Sequence, residues 1–260
     1  MKKHLVLIAL LILTLNLTGF ASEAKAQTNS CRLASFFGPN KGCALFLDEQ
    51  SNTYYEYNSY LLDVRTSPYS TFKIPNTLIG LKHNIIQDEN SIIKWDGQKR
   101  FFPVWNQDLN LQQAFAFSAV WYFEKISSQI GLEEMNKSLR EINYGNNDVS
   151  SGGTFWIDAS LKISPKEQVE FLKRLFNRQI KGYDDKEKNI LKSIMHRGDL
   201  KEGKLYGKTG TSKNNNNGWF VGFWENNGHR LYFALRLYGG NEATGPRAEK
   251  ITRAILENNF

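Results

Sequence analysis

The sequence predicts an α/β protein of the α+β type, with an antiparallel sheet flanked by helices and an all-helical lobe inserted into it. Stretches rich in β-forming residues lie near both ends of the chain, at residues 44–57 and 204–238. The middle of the chain carries apolar residues at helical spacing, most clearly after a capping box at residues 164–167. Since strands from both ends can pair in one sheet, the helical middle becomes an insertion.

The strands follow from short apolar or β-rich runs between turn residues. Residues 44–47 are apolar, residues 49–52 favour a turn, and residues 53–57 are rich in tyrosine, which together predict a hairpin. Asn/Gly turns separate the later strand-like segments, which lie at residues 204–208, 219–224 and 230–238. These positions place the sheet lobe at about residues 27–65 and 200–260.

Helices are predicted between these strands, so that the helical lobe spans about residues 66–199. Pro165 occupies the first helical position after Ser164, and Gly182 suits the end of that helix region. The other helices are predicted at residues 108–131, 132–142 and 243–257. A small-molecule pocket is expected between the two lobes.

Residues 1–26 predict a cleaved secretory signal. Lys2 and Lys3 precede an apolar run at residues 5–20, and Ala24-Lys25-Ala26 is a small-residue cleavage site. A membrane anchor is the alternative, but the run is short and polar-interrupted for a span. We therefore expect a protein secreted across the inner membrane into the periplasm, with one catalytic domain at residues 27–260 and no membrane contact after cleavage.

Composition argues against two classes of function. The net charge is +7, but basic residues are scattered among acidic ones, so nucleic-acid binding is not favoured. The four histidines are dispersed and no metal-ligand spacing occurs, so no metal is expected. A disulfide between Cys31 and Cys43 and two free thiols are equally compatible with the sequence, and the oligomeric state is open.

The segment Ser70-Thr71-Phe72-Lys73 is a candidate nucleophile motif. Serine and lysine three residues apart lie on one face of a helix. A serine hydroxyl attacks only after a base removes its proton. Lysine can act as that base when its pKa is lowered or its nitrogen is chemically altered. S-x-x-K alone also fits a capping serine beside a surface lysine.

Three further motifs follow in order. Ser118-Ala119-Val120 lies in a stretch predicted to be helical, where a serine can relay a proton, and Tyr144-Gly145-Asn146 predicts a turn. Lys208-Thr209-Gly210 is followed by Thr211 on a predicted strand, where the lysine and the hydroxyls can hold a carboxylate. Arg247 opens the last helix and offers a second carboxylate contact. Each of these motifs taken alone also fits an ordinary structural role.

The ordered set resembles class D, oxacillinase-type, serine β-lactamases over residues 31 to about 255. Supporting matches include Lys94-Trp95-Asp96-Gly97, Phe155-Trp156 and Gly218-Trp219-Phe220-Val221-Gly222. The resemblance implies the fold shared by serine β-lactamases and penicillin-binding transpeptidases. It also implies hydrolysis of β-lactam antibiotics, and hence resistance, with penicillins as substrates and cephalosporins or carbapenems left open.

The resemblance assigns a role to each motif residue. Ser70 becomes acylated, and Lys73, carbamylated by CO2 to N6-carboxylysine, is the general base for both steps, with no other cofactor. Ser118 relays the proton to the lactam nitrogen, supported by Lys208, and Trp156 hydrogen-bonds the carbamate. The oxyanion hole comes from the backbone N–H groups of Ser70 and Thr211. The remaining residues implied to bind substrate are Thr209, Gly210, Thr211, Arg247, Val120 and Tyr144.

Val120 separates this chain from related enzymes. Class A β-lactamases and many transpeptidases have asparagine there, which would give the lysine a polar partner and weaken the case for a carbamate. Two alternatives remain. One is an antibiotic sensor domain that acylates and stalls, although such domains belong to longer membrane proteins and the chain here begins with a cleavable segment. The other is a penicillin-binding transpeptidase or carboxypeptidase.

Overall fold

The computed structural model describes the backbone of residues 28–29 and the whole chain from residue 33 to residue 260. The predicted signal at residues 1–26 and Cys31 lie outside the described residues. Among the described residues Cys43 has no disulfide partner; it is buried, and burial raises its pKa to about 11. Within the described residues, no helix is both long enough and apolar enough to cross a membrane.

The strands from both ends of the chain meet in one sheet, as predicted. In chain order they are β1 (Thr28–Asn29), β2 (Gly42–Asp48), β3 (Thr53–Tyr57), β4 (Ile92–Ile93), β5 (Leu109–Asn110), β6 (His196–Leu200), β7 (Gly203–Thr211), β8 (Asn217–Asn226) and β9 (His229–Tyr238). The main sheet of the described chain has the order β1-β3-β2-β9-β8-β7-β6, and β4 pairs with β5 separately. Its pairs are antiparallel except for the short β1–β3 pair, which is parallel.

Helices fill the middle of the chain and cover both faces of the sheet. They are α1 (Ala34–Phe37), α2 (Lys73–Lys82), α3 (Leu111–Ala116), α4 (Val120–Ile130), α5 (Leu132–Glu141), α6 (Pro165–Phe176), α7 (Asp185–Ile194) and α8 (Gly245–Asn259). The predicted capping box starts α6: Ser164 accepts from the Glu167 N–H, and Glu167 accepts from the Ser164 N–H. The α+β architecture of the prediction is confirmed.

Strands β2, β7, β8 and β9 contribute side chains to two cores, because successive side chains point to opposite faces. On β2, Leu45 and Leu47 pack into the core shared with the helical middle of the chain. Ala44 and Phe46 pack on the other side, against α8. Burial on both faces explains why β2 reads as a continuous apolar run.

One predicted helix is wrong. Residues 108–131 form β5, α3 and α4, and Ser118 lies in a turn between the two helices instead of inside one. Ser118 has a left-handed φ of +57°, and Ala119 is extended, so the helical hydrogen-bond ladder cannot continue. The Ala119 N–H instead donates to the Ala114 oxygen at 2.9 Å, which closes the turn.

Candidate active site

The nucleophile motif forms the junction between a short 3-10 turn, Tyr69–Phe72, and α2. Pro75 falls in the first turn of α2, where a missing N–H costs no hydrogen bond. Ser70 is half-buried and Lys73 is fully buried. The Lys73 Nζ lies 3.0 Å from the Ser70 Oγ. The predicted base and the predicted nucleophile are therefore in hydrogen-bond contact.

The surroundings of Lys73 favour its neutral amine. The Phe123 ring centroid lies 5.1 Å from the Lys73 Nζ. Burial lowers the pKa of Lys73 well below its usual value, and the positive charge of Lys208 lowers it further. Glu124 acts weakly in the opposite direction. A neutral amine can accept the serine proton or react with CO2.

Trp156 lies directly beside this junction. Its indole stacks on Phe72 with ring centroids 5.1 Å apart and planes 23° apart. Its carbonyl accepts the Tyr69 N–H at 3.0 Å. The indole is fully buried, and its Nε1 has no hydrogen-bond acceptor among the described residues. A buried donor without an acceptor is costly unless a further group supplies one.

Ser118 lies between two helices that each contact an active-site lysine. Phe115 of α3 has its ring centroid 5.7 Å from the Lys208 Nζ, and Phe123 of α4 contacts Lys73. Val120 begins α4, is half-buried, and precedes Phe123 by three residues, which places both on one side of that helix. The turn that holds Ser118 therefore joins the helix that contacts Lys208 to the helix that contacts Lys73.

The end of β7 packs closely against the 3-10 turn Tyr69–Phe72, which carries Ser70. A Cβ added at Gly210 would lie 3.0 Å from the Pro68 oxygen and 3.4 Å from the Ser70 nitrogen, so only glycine fits without a shift. Lys208 lies two residues earlier and shares this face of the strand. Its Nζ donates to the Thr209 oxygen at 3.1 Å. Burial, followed by the charge of Arg197, lowers the pKa of Lys208 to about 7.

The start of α8 packs against the same end of β7, on the opposite face of the strand. The Gly245 N–H donates to the Thr211 Oγ1 at 2.9 Å, and a Cβ on Gly245 would lie 2.7 Å from the Thr209 Cβ. Arg247 is half-buried in the first turn of α8, where its N–H donates to the capping Thr244 Oγ1 at 3.3 Å. Arg247 thus lies two residues after Gly245, which contacts Thr209 and Thr211, and its predicted contact with a substrate carboxylate stays a prediction.

The structure corrects the predicted role of Tyr144 as a substrate contact. Its side chain is fully buried, and its ring meets Phe72 edge-on at 6.0 Å and Phe171 at 5.1 Å. Because Tyr144 is enclosed in the core and packs against Phe72 and Phe171, its side chain cannot contact a substrate. Gly145 is required in this turn because its φ is +57° and a Cβ would lie 2.2 Å from the Lys162 oxygen.

Sequence reasoning missed a group of aromatic residues beside Ser118. The Trp105 Nε1 donates to the Phe117 oxygen at 3.0 Å, and the Phe102 ring packs on Trp105 at 4.9 Å. Phe101 is 91% exposed. The signal for this group was a run of apolar residues at 101–105 inside an otherwise polar stretch.

Within residues 33–260, no group of three or more His, Cys, Asp or Glu side chains is placed to hold a metal ion. The candidate site comprises two buried lysines, two half-buried serines and a buried indole.

Comparisons with known proteins agree with this geometry. The family model for the penicillin binding protein transpeptidase domain matches residues 37–257. Regulatory protein BlaR1 of Staphylococcus aureus is 38% identical over 227 residues, which are 86% of this chain and 38% of BlaR1. Probable β-lactamase YbxI of Bacillus subtilis (strain 168) is 35% identical over 239 residues, which are 91% of this chain and 88% of YbxI.

A solved structure described as class D β-lactamase BAT-2 has a TM-score of 0.83 at 35% identity, covering 87% of this chain and 94% of that one. The chain belongs to the penicillin-binding protein transpeptidase family. Its relatives and structural neighbours include class D serine β-lactamases, which are hydrolases, and this confirms the resemblance inferred from the four motifs.

Proposed function

We propose that this protein hydrolyses β-lactam antibiotics through an acyl-enzyme on Ser70 and thereby confers resistance to them. The observation that carries the proposal is the fully buried Lys73 amine, 3.0 Å from the Ser70 Oγ, in surroundings that favour its neutral form. Serine is a nucleophile only beside such a base.

In the proposed acylation, the Ser70 Oγ attacks the lactam carbonyl carbon and the C–N bond breaks. Ser118 passes a proton to the departing nitrogen, supported by the Lys208 ammonium. The backbone N–H groups of Ser70 and Thr211 stabilise the oxyanion, which is often the largest catalytic contribution. Lys208, Thr209 and Arg247 hold the substrate carboxylate where β7 and α8 meet, and Gly210 brings this end of β7 close to the Ser70 backbone.

We further propose that CO2 carbamylates Lys73, and that the carbamate supplies the general base for acylation and for hydrolysis of the acyl-enzyme. Three features support this assignment. The lowered pKa provides the neutral amine that reacts with CO2. The lysine is fully buried beside the Phe123 ring, and the adjacent Phe72 carries the stacked Trp156 indole. The Trp156 Nε1 offers a buried donor without an acceptor among the described residues.

The substrate side chain is proposed to rest on the aromatic group beside Ser118, formed by Phe102, Trp105 and Phe117. Penicillins are the proposed substrates, and export to the periplasm through residues 1–26 would bring the enzyme to them. CO2 or bicarbonate is the only small-molecule requirement proposed beyond the substrate.

A β-lactam sensor is the second candidate, and the 38% identity to BlaR1 over most of this chain favours it. A sensor would use the same acylation chemistry but would retain the acyl group. A penicillin-binding transpeptidase, the third candidate, would also release D-alanine from cell-wall peptides. The three candidates therefore differ in the fate of the acyl-enzyme.

The test is steady-state turnover of a chromogenic cephalosporin by the purified protein, with and without added bicarbonate. Sustained turnover that bicarbonate increases is the expected result. A burst of about one product molecule per protein molecule, with no further turnover in either condition, would contradict the proposal. It would favour a sensor or a penicillin-binding protein.

A further inference from the structure

Beside Ser70, Tyr69 makes two hydrogen bonds to the segment that contains Trp156 and Asp158. Tyr69 donates its backbone N–H to the Trp156 oxygen at 3.0 Å. Its hydroxyl donates to the Asp158 Oδ1 at 2.5 Å. The residue that precedes the nucleophile therefore holds the Trp156 segment at two points, one at the tryptophan itself and one two residues later.

Both partners hold unusual backbone conformations. Tyr69 and Asp158 each have a left-handed φ of +49°. Neither is a glycine, and such strained residues persist only where surrounding contacts hold them. The hydroxyl–carboxylate hydrogen bond is one such contact, because it spans the two strained positions directly.

The chemistry of the pair suits a firm connection. The Tyr69 side chain is only 4% exposed, and burial raises its pKa, so that it stays a neutral donor. An ionised carboxylate accepting from a hydroxyl forms a short and strong hydrogen bond. The Trp156 indole has no hydrogen bond to a described residue, so its placement depends on ring packing with Phe72 and Phe155 and on its backbone.

We infer that Tyr69 and Asp158 are a positioning pair that fixes the Trp156 indole on Phe72, the residue before Lys73, and so sets the affinity of Lys73 for CO2. The inference rests on the proposed function, because it concerns the carbamate. Neither residue touches the reacting atoms, and the effect passes through Trp156. The pair extends the site to two residues outside all four sequence motifs.

The variants Tyr69→Phe, Asp158→Ala and the double variant test the pair. Tyr54→Phe is a matched control, since the Tyr54 hydroxyl donates to the Glu170 Oε1 at 2.6 Å between β3 and α6. Two quantities are measured for each protein. One is the bicarbonate concentration that gives half-maximal turnover, and the other is the lysine carbamate signal in the 13C NMR spectrum with 13C-bicarbonate and no substrate.

In both single variants, the bicarbonate concentration for half-maximal turnover should be at least threefold higher than in the unaltered protein. The double variant should require no higher a concentration than either single variant, because the two residues act through one hydrogen bond. Their NMR signal should be weak at limiting bicarbonate and return to full strength at saturating bicarbonate, as should turnover. The Tyr54→Phe control should follow the unaltered protein. If Tyr69→Phe fails to fold, Asp158→Ala decides alone, because it alters an exposed side chain.

Unchanged bicarbonate curves in both single variants would overturn the inference, as would a loss of turnover that saturating bicarbonate does not restore. Failure of the proposed function gives a different result. In that case the unaltered protein itself shows no bicarbonate dependence and no carbamate signal, which rejects the carbamate and the inference together.

Discussion

The two sides of the active site are built in different ways. Lys208 to Thr211 come from β7, which pairs regularly with β8 along this whole segment, whereas β6 pairs irregularly with β7 and only as far as Tyr206. The opposite side uses turns, and Tyr69, Ser118 and Asp158 there have left-handed backbones. In the proposed function, the strand side carries the groups that hold substrate, whereas the turns with left-handed residues carry or flank the groups that react.

The largest effect is expected at the nucleophile turn. Ser70→Ala should leave no covalent adduct with a penicillin and no turnover, because no other nucleophile is positioned there. Lys73→Ala should also abolish both steps, since the base is removed. Intact-protein mass spectrometry and cephalosporin turnover check both. Substantial adduct on Ser70→Ala would place the nucleophile elsewhere.

Two variants at Ser118 separate the backbone strain of its turn from the chemical role of its hydroxyl. Ser118→Gly and Ser118→Ala both delete the hydroxyl, and both should lower kcat about 10²–10⁴-fold if Ser118 relays a proton. Glycine tolerates a φ of +57°, whereas alanine should lose about 1 kcal/mol of stability to it. Urea unfolding measures the difference in stability, and steady-state kinetics measures the loss of kcat. Equal stability of the two variants would contradict the strained-turn account.

Trp156→Phe keeps an aromatic ring beside Phe72 but removes the buried donor. Acylation should remain near normal, and hydrolysis of the acyl-enzyme should slow about 10²-fold, the usual cost of one preorganised donor. Pre-steady-state kinetics distinguish the two steps. Normal hydrolysis in this variant would show that the indole N–H does not serve the carbamate.

On the strand side, the expected effect is on stability and its pH dependence. Lys208 has a folded-state pKa of about 7, below its unfolded value of about 10.4. The unfolded state therefore binds more protons between these values, and the Lys208 contribution to the free energy of unfolding rises there by up to about 1.4 kcal/mol per pH unit.

Lys208→Met removes this contribution. The variant should gain most stability relative to the unaltered protein at pH 6 and least near pH 9. Urea titrations across that range measure the difference. A difference that does not change with pH would mean that Lys208 stays charged in the folded protein.

The smallest effect is expected from Tyr144→Phe. The side chain is buried beneath Phe72, so removal of its hydroxyl should leave the KM for a penicillin unchanged. Steady-state kinetics test the corrected assignment directly. A several-fold rise in KM would restore Tyr144 as a substrate contact.

The sequence predicted the regular parts of this molecule well because local pattern determines them. Short apolar or β-rich runs between turn residues located β2 and β9, and the Ser164 capping box located α6. Motif spacing also brought Ser70 and Lys73 together, because three residues on a helix fix that geometry.

The irregular parts could not be predicted in this way. A single left-handed residue at Ser118 interrupts a continuous apolar pattern without changing its composition. The Tyr69–Asp158 contact joins residues 89 positions apart, which no local pattern records. The burial of Tyr144 depends on Phe72 and Phe171 from two other segments. These features all arise from tertiary packing around the site.

The most direct test of the central claim is intact-protein mass spectrometry over time after mixing with an excess of a penicillin. The account predicts an adduct that appears within the dead time, maps to Ser70, and disappears once the penicillin is consumed. A stoichiometric adduct that persists after the free penicillin is gone would contradict it and identify a protein that acylates without turnover.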